Sequence, residues 1–225
     1  MAKIIWDDAG KKIFEAGLDR GVLYLQADDG TYPKGVGWNG LTSVSESPSG
    51  ADSNKQYADN DIYANLRGKE EYSGTIEAFT YPDEFEKCDG SFEIVPGVLV
   101  GQQNRNPFGF CYRTLIGNDT KGVEFGYKLH LVYGATCSPS EKTHETMNDS
   151  PEASTMSWEF DTIPVEVKGV KNAKKTATLE IDSTQVAKAD LEALEAILYG
   201  GENADPKLPL PGEVATLFHY TAPQD

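Results

Sequence analysis

The side chains that could do chemistry in this chain are few and poorly spaced for it. Its three histidines, His130, His144 and His219, include no pair at i,i+4, so no helical zinc pair is present. No Gly-x-Ser-x-Gly surrounds any serine, which removes the nucleophile elbow of a hydrolase. Carboxylates occur as neighbours: Asp7 with Asp8, Asp28 with Asp29, Glu70 with Glu71, Asp83 with Glu84. Adjacent residues on a strand point to opposite faces, so these pairs are poor candidates for flanking one glycosidic bond. Asp59 and Asp61 can share a face, but the ligand pattern and glycine of an EF-hand loop are missing. Gly35-Val36-Gly37-Trp38-Asn39-Gly40 has the letters of a dinucleotide fingerprint. That motif works only where a helix N-terminus follows to hold the pyrophosphate, and residues 41–45 read as a strand. A glycine turn leading into that strand is expected instead. No catalytic residue, metal ligand or cofactor is expected, and the chain is read as a non-enzyme.

The bulk composition narrows the partners. With 36 acidic and 20 basic residues the net charge is −16, which lacks the clustered Lys and Arg footprint of a nucleic-acid binder. The same charge is repelled by anionic membrane surfaces, and no stretch approaches the roughly 18 apolar residues of a span. Residues 1–12 carry Asp7 and Asp8 and no apolar run of a secretory leader. Cys88, Cys111 and Cys137 are odd in number and form no CxxC, so neither a disulfide framework nor a zinc ribbon is expected. A soluble protein of a reducing cytoplasm is the resulting expectation. Hydrophobic residues reach 39% and aromatics 10%, enough for a folded core with long polar loops.

The elements that position these residues are mainly strands. From 123 to 133 the odd positions are Val, Phe, Tyr, Leu, Leu and Tyr, while Glu124, Gly126, Lys128, His130 and Val132 form a mostly polar opposite face. Such alternation predicts a half-buried antiparallel strand. In 153–162, Met156, Trp158 and Phe160 share one face, and Ser157, Glu159 and Asp161 the other. Segments 71–80, 108–116, 163–168 and 176–182 follow the same rule, and 22–26 and 41–46 do so more weakly. About eight strands predict a mainly β sandwich or barrel in one 1–225 domain. One helix is expected after an Asp190 N-cap, with Leu191, Leu194, Ile197 and Leu198 on one face and Gly200 and Gly201 as a left-handed cap. A short helical turn is expected over 82–87. Residues 45–61 and 134–153 read as long polar loops. Segment 1–20 reads as an N-terminal arm, and the proline-bearing 200–225 as an extended rather than helical C-terminal arm.

The order of several segments resembles the major tail protein, or tail tube protein, of long non-contractile-tailed bacteriophages. These are 40–48 (GLTSVSESP), 56–63 (QYADNDIY), 71–79 (EYSGTIEAF) and the 82–85 turn, then 108–113, 128–133 and 154–165. The resemblance covers most of the chain from Trp38 to the C-terminal helix, and its motifs are structural rather than catalytic. It implies a β-sandwich or barrel-like fold with a flanking helix. It implies hexameric rings of self-associating copies, stacked into a tube, with tail-tip, tape-measure and terminator proteins as further partners. DNA would pass through the lumen without specific binding, and the protein would move from host cytoplasm to virion. By position, the inter-ring loop would be 45–61, with Ser45, Glu46, Tyr57, Asp59, Asn60 and Asp61 as candidate contacts. Candidate lumen residues are Glu124, Lys128 and His130, or else Glu159 and Asp161. Two other readings stay open: a carbohydrate-binding module with Trp38, Tyr57 and Tyr63 as a stacking platform, and a tail terminator or secretion-tube subunit of similar fold.

Overall fold

In a computed structural model of the chain, residues 4, 6–144, 146, 149, 153–202 and 204–221 are described. The first strand, β1 (Ile13–Leu25), is followed by β2 (Gly35–Trp38) and β3 (Leu41–Glu46). Four strands then build a projection: β4 (Ser49–Gly50), β5 (Ser53–Ala58), β6 (Asp61–Arg67) and β7 (Glu70–Glu71). The chain returns through β8 (Ser73–Ala78), a 3-10 turn at Asp83–Phe85 and the four-residue α1 (Glu86–Asp89). A hairpin of β9 (Phe92–Val95) and β10 (Val98–Val100) precedes the long β11 (Phe108–Asn118) and β12 (Gly122–Cys137). Then come β13 (Met156–Thr162), β14 (Thr178–Asp182), α2 (Lys188–Tyr199) and α3 (Pro211–Leu217). The fold is mainly antiparallel β, as the alternation predicts, and three short α-helices lie among the described residues.

Eight strands form the main sheet, in the order β2-β1-β11-β12-β13-β8-β3, with β14 also paired to β12. The sheet curls on itself. Any Cβ at Gly21 in β1 would run into the Leu41 side chain in β3, so the two ends of the sheet lie close together. The curl encloses an inner core of Leu23, Trp38, Ile76, Phe85, Phe110, Trp158 and Phe160. Phe85 plugs one end, with its ring centroid 4.5 Å from that of Trp38 and 5.3 Å from that of Trp158. A second core lies outside the sheet, where Leu191, Leu194 and Leu198 of α2 and Val214 of α3 cover Tyr24, Leu129, Leu131 and Tyr133. Buried tyrosine hydroxyls tie the helices to this layer: Tyr24 donates to the Leu198 carbonyl at 2.7 Å and Tyr133 to that of Pro209 at 2.9 Å.

Strand β12 serves both layers. Residues 128–132 pair with β14, and residues 135–137 pair with β13. Gly134 stands at the exchange with φ +61, and this inserted residue lets Val132, Ala135 and Cys137 all reach the inner core.

Several sequence-based expectations are corrected. Residues 13–20 are the first half of β1, paired to β11, rather than an arm. Residues 45–61 are mostly strand rather than loop. Asp59 and Asn60 both have positive φ, at 52° and 63°, and close β5 onto β6 with the tight turn a right-twisted hairpin favours. The 134–153 loop starts only after Cys137, and residues 145, 147, 148 and 150–152 of it lie outside the described residues. Segment 163–168 is no strand; Pro164 offers no N–H, and only a single bridge joins Val165 to Thr176. The helix starts at Lys188 with Ala187 at its N-cap, so Asp190 lies within the first turn. Gly200 has φ 75 and ψ −178, which is not a left-handed helical cap. The C-terminal arm contains α3, because Pro211 suits a first helical position and Glu213 Oε2 accepts from the Leu210 N–H at 2.8 Å. Strand β12 is buried on both faces from Leu129 to Ala135, since helices cover the side away from the inner core.

Candidate assembly surfaces and a polar cluster

Three features could carry function. The first is the projection built from β4 to β7. Its strands pair only with one another and never join the main sheet. Every residue of β5 is exposed, and Tyr57 and Tyr63 are 69% and 79% exposed. Ile62 and Leu66 add apolar surface on β6. An isolated two-stranded hairpin is marginal in water, and exposed apolar side chains on one mark a surface made to be covered. Of the candidate contacts, Tyr57 lies on β5, Asp59 and Asn60 form the tip, and Asp61 accepts the Ile62 N–H at 2.7 Å. Ser45 and Glu46 stay behind on β3, at the base.

The second feature is the outer face of β3, β8 and β13. The pairings Glu159 with Thr75, Ser157 with Glu77 and Asp161 with Ser73 set these side chains on one face. Ser43 and Ser45 continue it on β3, where Ser43 Oγ donates to Glu77 at 2.7 Å. The face is polar and acidic, and Glu159 and Asp161 are exposed on it. The inward partners Trp158 and Phe160 are buried, as their alternation with Ser157, Glu159 and Asp161 predicts.

The third feature is a polar cluster at the edge of the inner core. His130 is only 7% exposed, while Glu124 on the same strand is open to solvent. Lys128 bridges Glu15 of β1 at 2.9 Å and Glu180 of β14 at 3.0 Å. Thr114 Oγ1 donates to Glu15 at 2.6 Å and lies 2.9 Å from His130 Nε2. A hydroxyl has one proton to give, so His130 Nε2 carries the hydrogen and donates to Thr114. His130 Nδ1 faces Glu46 at 3.6 Å, and the Tyr112 hydroxyl donates to the same Glu46 oxygen at 2.6 Å. Burial lowers the His130 pKa and outweighs the opposite pull of Glu46, Glu180 and Glu15. Burial acts to raise the Glu15 pKa, but hydrogen bonds from Thr114 and Lys128 hold it below its ordinary value.

None of this is a metal cage: among the described residues, no group of three or more His, Cys, Asp or Glu is placed to hold an ion. All three cysteines are free and buried, and burial pushes the Cys88 thiol up to about 12. Trp38 is also buried, with its indole N–H donating to the Thr80 carbonyl at 2.8 Å, so the Trp38–Tyr57–Tyr63 stacking platform does not exist. Residues 41–46 follow the glycine-rich segment as strand β3, with no helix for a dinucleotide. Among the described residues no helix is long and apolar enough to cross a membrane. The apolar β9–β10 hairpin is a surface that sequence inspection passed over, although its run of Phe92, Ile94, Val95, Val98, Leu99 and Val100 was the available signal.

No family model and no curated protein matches the chain. Among solved structures, it is similar to a chain of the PVC sheath–tube complex, an extracellular contractile injection system in its extended state. Identity there is 12%, over 72% of this chain and 88% of that one, with a TM-score of 0.31. It is also similar to the tube-terminating cap of the anti-feeding prophage, AFP, at 9% identity over 81% of this chain and 97% of that one, with a TM-score of 0.32. Likeness at this level carries no functional weight.

Proposed function

We propose that this chain is a structural tail-tube subunit that self-assembles into stacked hexameric rings for DNA delivery. The observation that carries the reading is the 53–67 hairpin, which leaves the main sheet and holds Tyr57, Ile62, Tyr63 and Leu66 in solvent. It stands where the resemblance to phage tail tube proteins locates the inter-ring loop. Subunits in a ring meet head to tail through unlike patches, and a projecting arm is a natural half of such a contact. The acidic outer face of β3, β8 and β13 is the proposed lumen wall, because its like charge repels DNA and prevents adhesion. Lys128 and His130 are enclosed among carboxylates and are not assigned to that wall. The subunit has no catalytic role in this reading.

The test is electron microscopy of the purified protein at rising concentration, beside a variant whose 52–68 segment is replaced by a short turn. Rings or hollow tubes from the parent and folded single subunits from the variant are the expected result. A parent that stays monomeric at every concentration, even with a tail-tip complex added, overturns the reading.

A further inference from the structure

The β9–β10 hairpin presents apolar side chains on both faces. Phe92 and Ile94 point one way from β9 and Val95 the other, and Phe92 and Ile94 are 57% and 58% exposed. Val98 and Leu99 on β10 are exposed as well, and this small sheet pairs with no other strand. Water is a poor environment for both faces of a two-stranded ribbon, so a partner surface is required.

The chemistry of that partner can be read from the flank. Glu93 lies on the hairpin itself, and Asp83 and Glu86 come from the turn before it. Burial, then the Glu93 and Asp83 carboxylates, push the Glu86 carboxyl up. Lys87 is the one base within this stretch of chain, the Arg105 side chain packs beside Gly90, and Lys142 is already held by Asp89 at 2.6 Å, so the acids Asp83, Glu84, Glu86, Asp89 and Glu93 still outnumber the bases. A fitting partner therefore combines apolar surface with concentrated positive charge.

The same chain carries such a surface elsewhere. Between Val165 and Thr176 a loop bears Lys168, Lys171, Lys174 and Lys175, against a single acid, Glu166. No other stretch of this acidic chain is as basic. Beside it Ile163 is 75% exposed. The loop is held in shape: Val165 and Thr176 exchange N–H···O bonds of 2.8 and 3.0 Å at its base. Gly212 of α3 abuts the Lys168 carbonyl so closely that a Cβ there would collide. A preorganised basic loop binds with less ordering cost than a free one.

We propose that the β9–β10 hairpin of one copy docks against the 163–175 loop of a second copy of this chain. The contact is heterologous, joining two different patches, and so propagates or closes a ring. It rests on the self-assembly reading above and adds a contact distinct from the 53–67 arm.

Three variants and one cross-link test it. Ile94→Ser with Leu99→Ser removes the apolar side, and Lys174→Glu with Lys175→Glu reverses the basic side. Both pairs are exposed, so melting should stay close to that of the parent. Each is expected to raise the concentration needed for assembly by about tenfold or more. Adding Asp83→Lys and Glu86→Lys to the lysine reversal is expected to recover most of that loss. With oxidised glutathione added as the two-electron oxidant, Leu99→Cys in one preparation and Ala173→Cys in another should form a mixed disulfide, and the buried native cysteines should not compete. Variants that assemble like the parent, with no cross-link, overturn the inference and leave the tube reading intact. A cross-link without rings retains the contact and removes the tube. Neither cross-link nor rings removes both. Duplex DNA binding that is lost in the lysine reversal, with assembly unchanged, assigns the loop to nucleic acid and also overturns the inference.

Discussion

The imidazole of His130 lies flat on the phenol ring of Tyr112, with centroids 4.5 Å apart and planes 1° from parallel. That stack joins β12 to β11 at the point where Glu46 leaves β3 for the projecting arm. Groups from five strands face the imidazole: Glu15, Glu46, Tyr112 with Thr114, Lys128 and Glu180. Because its folded pKa lies below the ordinary 6.5, the unfolded chain takes up the proton first as the pH falls. Stability is therefore full above that value and declines beneath it, by at most about 1.4 kcal/mol per pH unit. Glu15 is depressed as well, but from an ordinary value of 4.5, so its share is lost only as the pH falls below 4.5. Urea midpoints should drop between about pH 7 and about pH 5 in the parent and drop less in His130→Gln. Identical slopes would exclude the imidazole as the source.

The plug formed by Phe85 makes a sharp stability test. Its ring is fully buried and contacts Trp38, Phe108 and Trp158. Phe85→Ala opens a void that these rigid rings cannot close, and a loss of about 3–5 kcal/mol is expected in urea unfolding. A loss below about 1 kcal/mol would mean that the end of the curled sheet collapses to fill the space.

Much of this architecture is legible in the alternation of residues. Residues 41–46 and the Trp158–Phe160 pattern fall where period two puts them, because one face of each strand meets the core and the other meets water. What escaped has a physical pattern. Segment 13–20 and strands β5 and β6 lack burial, and without burial there is no apolar period to detect. Strand β12 misled in the opposite way: helices cover its apolar face, and the face that alternation marks as open to solvent lies against the inner core at Val132 and Tyr112. His130 seemed a surface residue for that reason. Its partners Glu15, Glu46 and Glu180 are distant in sequence, so no local motif announces the cluster.

Gly134 is open to direct trial. Its φ of +61 disfavours any side chain, and a Cβ there would press on the Ile163 carbonyl. Gly134→Ala is expected to cost about 2 kcal/mol or more, from backbone strain and displaced pairing together. Thermal unfolding measures it, and a neutral result would show that the backbone at the exchange shifts to accept a side chain.

The proposed lumen wall predicts a kinetic phenotype. Glu159→Lys with Asp161→Lys changes two exposed residues of β13, so folding and tube formation should persist. DNA release from assembled particles should slow, and more so at low salt, where charges act over a longer distance. Release at the parental rate would place the channel on another face.

The register of β1 has a consequence for how the protein is made. Ile13 pairs with Asn118 and Asp19 with Arg113, so half of the first strand waits for residues made about a hundred positions later. At about 5–20 residues per second, the ribosome leaves that segment unpaired for roughly 5–20 s. Phe14 and Ile13 are meanwhile without their strand partners. A nascent chain thus cannot pair the first half of β1 until β11 emerges, and cannot complete the sheet until β14 (Thr178–Asp182) follows, so under the proposed self-assembly any joining of copies waits until each is nearly whole.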